Sequence, residues 1–127
     1  AAVLDALDLP YGMVTTIGAR IGGREVDTGE HVTTPDAPVL QRFLGEMVAE
    51  GMQVALLETT SHGLSQHRVT GVAYDVAVVT NITHEHLDEH GSLEAYRAAK
   101  RQLFEGLAAS YRKAKTPKVA IINGDDY

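Results

Sequence analysis

The chain has 127 residues, of which 44% are hydrophobic, with a formal net charge of −6 and no cysteine. That is one ordinary domain, too hydrophobic to be disordered, too acidic for general nucleic-acid affinity, and unable to form disulfides or thiolate metal sites. No apolar run is long enough to cross a bilayer and no signal peptide is visible, so a cytoplasmic protein without membrane association is expected.

The chain opens on a short helical stretch at residues 1–7. Residues 14–17 and 24–26 are expected to pair as a β-hairpin, with Ile21-Gly22-Gly23-Arg24 supplying the positive-φ residues of a tight turn. Pro35-Asp36-Ala37-Pro38 opens a helix that runs through Met47, because proline is tolerated in a first turn. Val39, Phe43, Leu44 and Met47 face inward on it, and Gly51 ends it. Met47 and Met52 read as core filler.

Residues 53–58 are an apolar run closed by the carboxylate of Glu58. An acid at a strand end is usually plain solvation, but in nucleotide-hydrolysing α/β proteins it holds the magnesium that bridges phosphates. The residues after it, Thr59-Thr60-Ser61-His62-Gly63-Leu64-Ser65-Gln66-His67-Arg68, read as a loop rich in hydroxyls and closed by an arginine, which suits an anionic ligand. Residues 75–79 form a second buried parallel strand. Past its carboxyl end lie three histidines, His84, His86 and His90, and three carboxylates, Glu85, Asp88 and Glu89. They could bind a transition metal, present one side chain to a harder ion, or simply be solvated. His31 and His67 read instead as locally hydrogen-bonded.

Residues 92–107 form an amphipathic helix with Ser92 as N-cap and Glu94 complementing the dipole. Its stripe runs Leu93, Tyr96, Leu103, Phe104, Leu107, and Lys100 falls on it. A buried ammonium must pair with an anion, lose its proton or be chemically changed; the alternative is a lysine whose amine snorkels past the core edge. The basic cluster Arg112, Lys113, Lys115 and Lys118 is expected to solvate a helix end and a loop. A third apolar strand covers residues 119–123. With strands at 54–58 and 76–80 it implies a parallel sheet with right-handed crossovers.

Four segments then match one family in the right order. Glu58-Thr59-Thr60-Ser61-His62-Gly63-Leu64-Ser65-Gln66-His67-Arg68-Val69, residues 80–91, Tyr96-Arg97-Ala98-Ala99-Lys100 and Ile121-Ile122-Asn123-Gly124-Asp125-Asp126 resemble the signatures of the Mur ligases. These are ATP-dependent amide-forming enzymes of peptidoglycan synthesis, and with it of cell shape and division. The match is closest to the branch that adds the third residue of the stem peptide. Thr59-Thr60 stands where that branch has Val-Ser, His84-Glu85 where it has Arg-Asp, and Gly124 where it has Ala. Glu85 beside the metal histidine could alter local geometry.

The resemblance implies a three-layer α/β fold like that of P-loop NTPases, with a mostly parallel sheet, flanking helices and the small hairpin. It implies that residues 1–127 are part of the central ATP-binding domain, with the start of the phosphate loop and both flanking domains absent. No Gly-x-x-x-x-Gly-Lys motif occurs, and residues 1–7 look like the end of the helix that follows that loop. A chain so cut would be inactive alone.

Among site residues, the resemblance implies that Glu58 ligates one Mg²⁺, and that His86 and an N-carboxylated Lys100 hold a second. It implies that Asn81 and His86 serve the ATP site, and that Thr33, Thr34, Thr60, Gln66 and Arg68 contact the muramoyl-peptide. The implied reaction adds a diamino acid, meso-diaminopimelate or L-lysine, to UDP-N-acetylmuramoyl-L-alanyl-D-glutamate through an acyl phosphate, in an enzyme that is monomeric when full length. Folylpolyglutamate and cyanophycin synthetases share the domain and are the nearest alternative. A non-catalytic metal module built on His84, His86 and His90 is the competing class.

Overall fold

The computed structural model describes residues 1–27, 32–82 and 91–124. They belong to two compact units, Ala1–Thr70 and Gly71–Tyr127.

The first unit contains helices α1 (Ala2–Ala6), α2 (Ala37–Ala49) and α3 (Ser61–Ser65) and strands β1 (Tyr11–Thr15), β2 (Gly18–Ile21), β3 (Arg24–Val26) and β4 (Val54–Leu57). The sheet order is β3-β2-β1-β4. β1 runs antiparallel to β2 and parallel to β4, with Tyr11 opposite Val54 and Val14 opposite Leu57. A parallel pair needs a crossover, and α2 lies within it. The core joins Val14, Ala19 and Ile21 of the sheet to Leu40, Phe43 and Met47 of α2. Fully burying a side chain of this size contributes about 1.5–3 kcal/mol. Gly12 leaves room for Met47, since a Cβ there would come within 2.6 Å of Met47 Cγ and Sδ and the methionine would have to shift.

The expected single hairpin is in fact a three-stranded meander. The chain reverses at Thr16-Ile17, pairing Thr15 with Gly18, and returns along β2 before the expected turn at Gly22-Gly23. Both of those glycines have positive φ, 55° and 81°, as a tight hairpin turn demands. The first turn carries no turn signal in its sequence, because Val14-Thr15-Thr16-Ile17 is β-branched throughout, a strand composition. Yet Ile17 is 97% exposed, and the Thr15 hydroxyl stabilises the turn by accepting the Ile17 amide at 3.3 Å.

α2 covers the expected residues, and Gly51, at φ 74°, ends it. Its buried face is rotated toward Leu40, while Val39 and Leu44 are only half-buried. Three helix ends use the same device. The residue in the left-handed conformation is Asp8 after α1, Gly51 after α2 and His67 after α3. In each case the following amide reaches back five residues, as Leu9 to Leu4 O, Met52 to Met47 O and Arg68 to Gly63 O at 2.8–3.0 Å.

The second unit holds β5 (Val76–Val79), α4 (Leu93–Ala109) and β6 (Val119–Ile122), with β5 and β6 parallel and Val76 opposite Val119. Its buried apolar residues are Ala77 and Val79 on β5 and Tyr96, Ala99, Leu103 and Leu107 on α4. Ser92 caps α4 as expected, its hydroxyl accepting the Ala95 amide at 3.1 Å. The cations after α4 do more than solvate it. Lys113 pairs with the Asp75 carboxylate, and Lys118 Nζ donates to the Tyr74 carbonyl and to Ser110 Oγ, fastening the loop before β6 to the start of β5.

The three expected parallel strands are all present and each has a parallel neighbour. β4 pairs with β1 and β5 with β6, and among the described residues β4 and β5 form no ladder. The α/β class therefore stands, with β1 as a parallel strand whose pairing with β4 was not anticipated. No helix among the described residues is long and apolar enough to cross a membrane.

Candidate functional site

Glu58 follows β4 directly, at the carboxyl end of the parallel pair, where α/β folds place ligands. Three anchors hold it. Its amide donates to Val14 O at 2.8 Å, its carbonyl accepts from the Thr34 hydroxyl at 3.1 Å, and its carboxylate Oε2 accepts from the Thr16 amide at 2.9 Å. The residue is exposed. Among the described residues Oε1 accepts no hydrogen bond, so of the two carboxylate oxygens Oε2 is the one these residues orient.

Thr34 is the centre of the arrangement and is 4% exposed. Its hydroxyl accepts from the Thr60 amide at 3.0 Å and lies 3.2 Å from Thr60 Oγ1. Thr60 in turn caps α3, its own Oγ1 accepting the Gly63 amide at 2.9 Å. A Cβ on Gly63 would come within 2.7 Å of Thr34 Cγ2, so only glycine lets the helix sit against this threonine. The expected loop at residues 59–68 is thus capped helix α3 and its left-handed exit at His67, with φ 58°. The His67 carbonyl accepts from the Thr70 hydroxyl at 2.7 Å. His31 lies outside the described residues.

That helix exit aims Arg68 back across the site. Its Nη1 donates to the Thr34 carbonyl at 3.0 Å, Nε donates to Gln66 Oε1 at 2.8 Å, and Nε lies 3.4 Å from Asp36 Oδ1. The fork is held on one side by neutral and acidic partners. Among the described residues Nη2 has no hydrogen-bonding partner. Thr33, beside Thr34, is half-buried, and its hydroxyl lies 3.0 Å from that of Thr16. Hydrogen bonds therefore link Glu58, Thr33, Thr34, Thr60, Gln66 and Arg68 into one cluster. Thr16 and Asp36 also belong to the cluster. Thr16 could have been found only by recognising the turn it occupies, and Asp36 only as the acid just before α2.

Two further site candidates lie in the second unit. Asn81 follows β5 and accepts a hydrogen bond from Asn123 Nδ2 at 3.2 Å, joining the ends of the two parallel strands. Lys100 lies at the margin of the buried stripe of α4, half-buried, with Nζ 5.6 Å from the Tyr96 ring centroid. Ala99 takes the deeper position, 3% exposed. The stripe keeps Tyr96, Leu103 and Leu107, with Ala99 rather than Lys100 as the buried residue between them. His86, with His84 and His90, lies outside the described residues. Among the described residues no three His, Asp or Glu side chains cluster as a metal site.

The donors that are described suit a hard cation rather than a soft one. An oriented, exposed carboxylate, with no thiolate in the chain, is oxygen-donor chemistry of the kind that hard cations take.

The sequence matches the Mur ligase middle domain over residues 1–127. It is 46% identical over 115 residues to the UDP-N-acetylmuramoyl-L-alanyl-D-glutamate–2,6-diaminopimelate ligase of Geobacillus thermodenitrificans (strain NG80-2), covering 91% of this chain and 23% of that protein. It is 42% identical over 132 residues to the UDP-N-acetylmuramyl-tripeptide synthetase of Roseiflexus sp. (strain RS-1), covering 99% of this chain and 26% of the relative. A solved structure of a UDP-N-acetylmuramoyl-L-alanyl-D-glutamate–2,6-diaminopimelate ligase superposes with a TM-score of 0.77 at 33% identity, covering 99% of this chain and 23% of that one. The chain thus spans about a quarter of the length of these relatives. Sequence and fold agree, and the chain belongs to the Mur ligase family, within its middle domain.

Proposed function

We propose that this chain is the central segment of an ATP-dependent ligase that adds a diamino acid, 2,6-diaminopimelate by its relatives, to UDP-N-acetylmuramoyl-L-alanyl-D-glutamate in peptidoglycan synthesis. The observation that carries the reading is the network beyond β1 and β4, in which Thr34 ties Glu58, Thr60 and Arg68 into one anion-facing surface. ATP and a monomeric, cytoplasmic enzyme follow from that reading.

Arg68 receives a substrate anion on the part of its fork that the described residues leave open, while Thr34 and Gln66 hold the guanidinium plane. Thr33 and Thr60 add hydroxyls to the same ligand. Thr34, buried with its hydroxyl engaged, acts by positioning them. Glu58 would hold one Mg²⁺, and His86 with an N-carboxylated Lys100 a second; bound there, the metals supply charge neutralisation around the phosphates. Asn81 would serve ATP binding. The substrate carboxylate attacks the γ-phosphorus, ADP leaves, and the incoming amine displaces phosphate from the acyl phosphate. The protein's part is to hold acid and phosphate in line, which supplies much of the barrier reduction.

The test uses a full-length ligase carrying this segment. Glu58→Gln should lose amide formation while still binding the nucleotide-peptide, and Arg68→Ala should lose nucleotide-peptide binding. Full activity in Glu58→Gln would refute the reading.

A further inference from the structure

The turn between β1 and β2 touches both halves of the site, and none of the roles assigned so far uses it. Thr16 sits at its first central position. The backbone amide of Thr16 donates to Glu58 Oε2 at 2.9 Å, across 42 residues of sequence, and its hydroxyl lies 3.0 Å from that of Thr33. The turn itself is fixed, since Thr15 pairs with Gly18 on either side and the Thr15 hydroxyl accepts the Ile17 amide. Glu58 is exposed, so without this donor its carboxylate would rotate freely among staggered arrangements. A neutral amide donor orients a carboxylate without neutralising its charge, leaving that charge for a cation.

From this geometry we infer that Thr16 is a positioning residue with two separable arms. Its amide orients the Glu58 carboxylate toward a divalent cation, and its hydroxyl orients Thr33 toward the nucleotide-peptide. The inference rests on the metal and substrate roles proposed above for Glu58 and Thr33. Partners that orient metal ligands in this way typically matter by about 10- to 100-fold in metal affinity.

The arms can be cut independently. Among the described residues, positive φ outside glycine occurs only at Asp8 and His67, so Thr16 lies on the side of φ that proline accepts. Proline is favoured at the first central position of such turns, and Thr15 before it is already extended. Thr16→Pro therefore removes the amide donor with the turn retained, and Thr16→Ala removes only the hydroxyl.

In the full-length ligase, Mn²⁺ binding read by electron paramagnetic resonance without turnover should weaken about 10-fold or more in Thr16→Pro. It should be unchanged in Thr16→Ala. Thr16→Ala should instead raise the KM for the nucleotide-peptide several-fold at constant kcat, with Thr16→Ser restoring it. If the proline variant does not fold, the amide arm is read by nuclear magnetic resonance: the Thr16 amide proton lies downfield in the wild type and moves upfield in Glu58→Gln. An unchanged Mn²⁺ affinity in folded Thr16→Pro, or an unmoved Thr16 amide signal, overturns the inference. If Glu58→Gln itself leaves Mn²⁺ binding intact, the metal role of Glu58 fails instead, which separates the two outcomes.

Discussion

Replacing Thr34 by valine keeps the shape of the side chain and deletes one oxygen. That oxygen accepts the Thr60 amide at 3.0 Å and has one proton to give, either to the Glu58 carbonyl at 3.1 Å or to Thr60 Oγ1 at 3.2 Å. Valine leaves the Thr60 amide without its acceptor beside a side chain that is 4% exposed. An unsatisfied buried group costs about 1–3 kcal/mol, and Thr60 is half-buried, so water recovers part of it. The expected loss is about 2 kcal/mol, or roughly 30-fold in the opening equilibrium of the loop. Native-state hydrogen exchange reads this directly: the Thr60 amide should exchange roughly 30-fold faster in Thr34→Val, while amides of β2 and β3 keep their protection. Thr34→Ser retains the oxygen and should keep Thr60 protected. Wild-type exchange at Thr60 in Thr34→Val would refute the reasoning, because the network would then not depend on this hydroxyl.

Other outcomes follow from the same geometry. Gly63→Ala should destabilise by about 1–3 kcal/mol in a denaturant titration, since its Cβ collides with the Thr34 side chain. His67→Gly should stabilise by roughly 1 kcal/mol, because glycine occupies the left-handed conformation without the Cβ penalty; an unchanged midpoint would mean that the imidazole contributes a compensating contact. In a full-length ligase, Arg68→Ala should weaken the nucleotide-peptide by about 2–4 kcal/mol with the KM for ATP unmoved. Equal losses for both substrates would reduce Arg68 to the tether on the Thr34 carbonyl. Lys100→Ala should nearly abolish turnover with partial rescue by acetate, and ¹³C-bicarbonate should label the wild type alone; full activity in Lys100→Arg would exclude an N-carboxylated lysine.

What the chain determined by itself is local. The helix of Lys100 was legible from Ser92, Glu94 and a three-to-four-residue stripe, and α2 from its proline start and Gly51 stop, because caps and periodicity act within a few residues. The strands were legible as apolar β-branched runs, and Glu58, Thr60 and Arg68 as polar residues just past one of them. Tertiary structure decided the rest. Whether Thr15-Thr16-Ile17 continued a strand or reversed depended on Gly18 pairing back onto Thr15, and the parallel neighbour of β4 proved to be β1, about forty residues upstream. That Ala99 rather than Lys100 is the buried residue on its helix was settled there too. Most of all, the division of labour between two adjacent threonines, one buried and engaged, the other facing its Thr16 partner, depended on contacts 17 to 26 residues away. Side chains of one type differ only in the neighbours that folding brings to them, and those neighbours are fixed by packing and pairing across the whole unit rather than by the residues on either side.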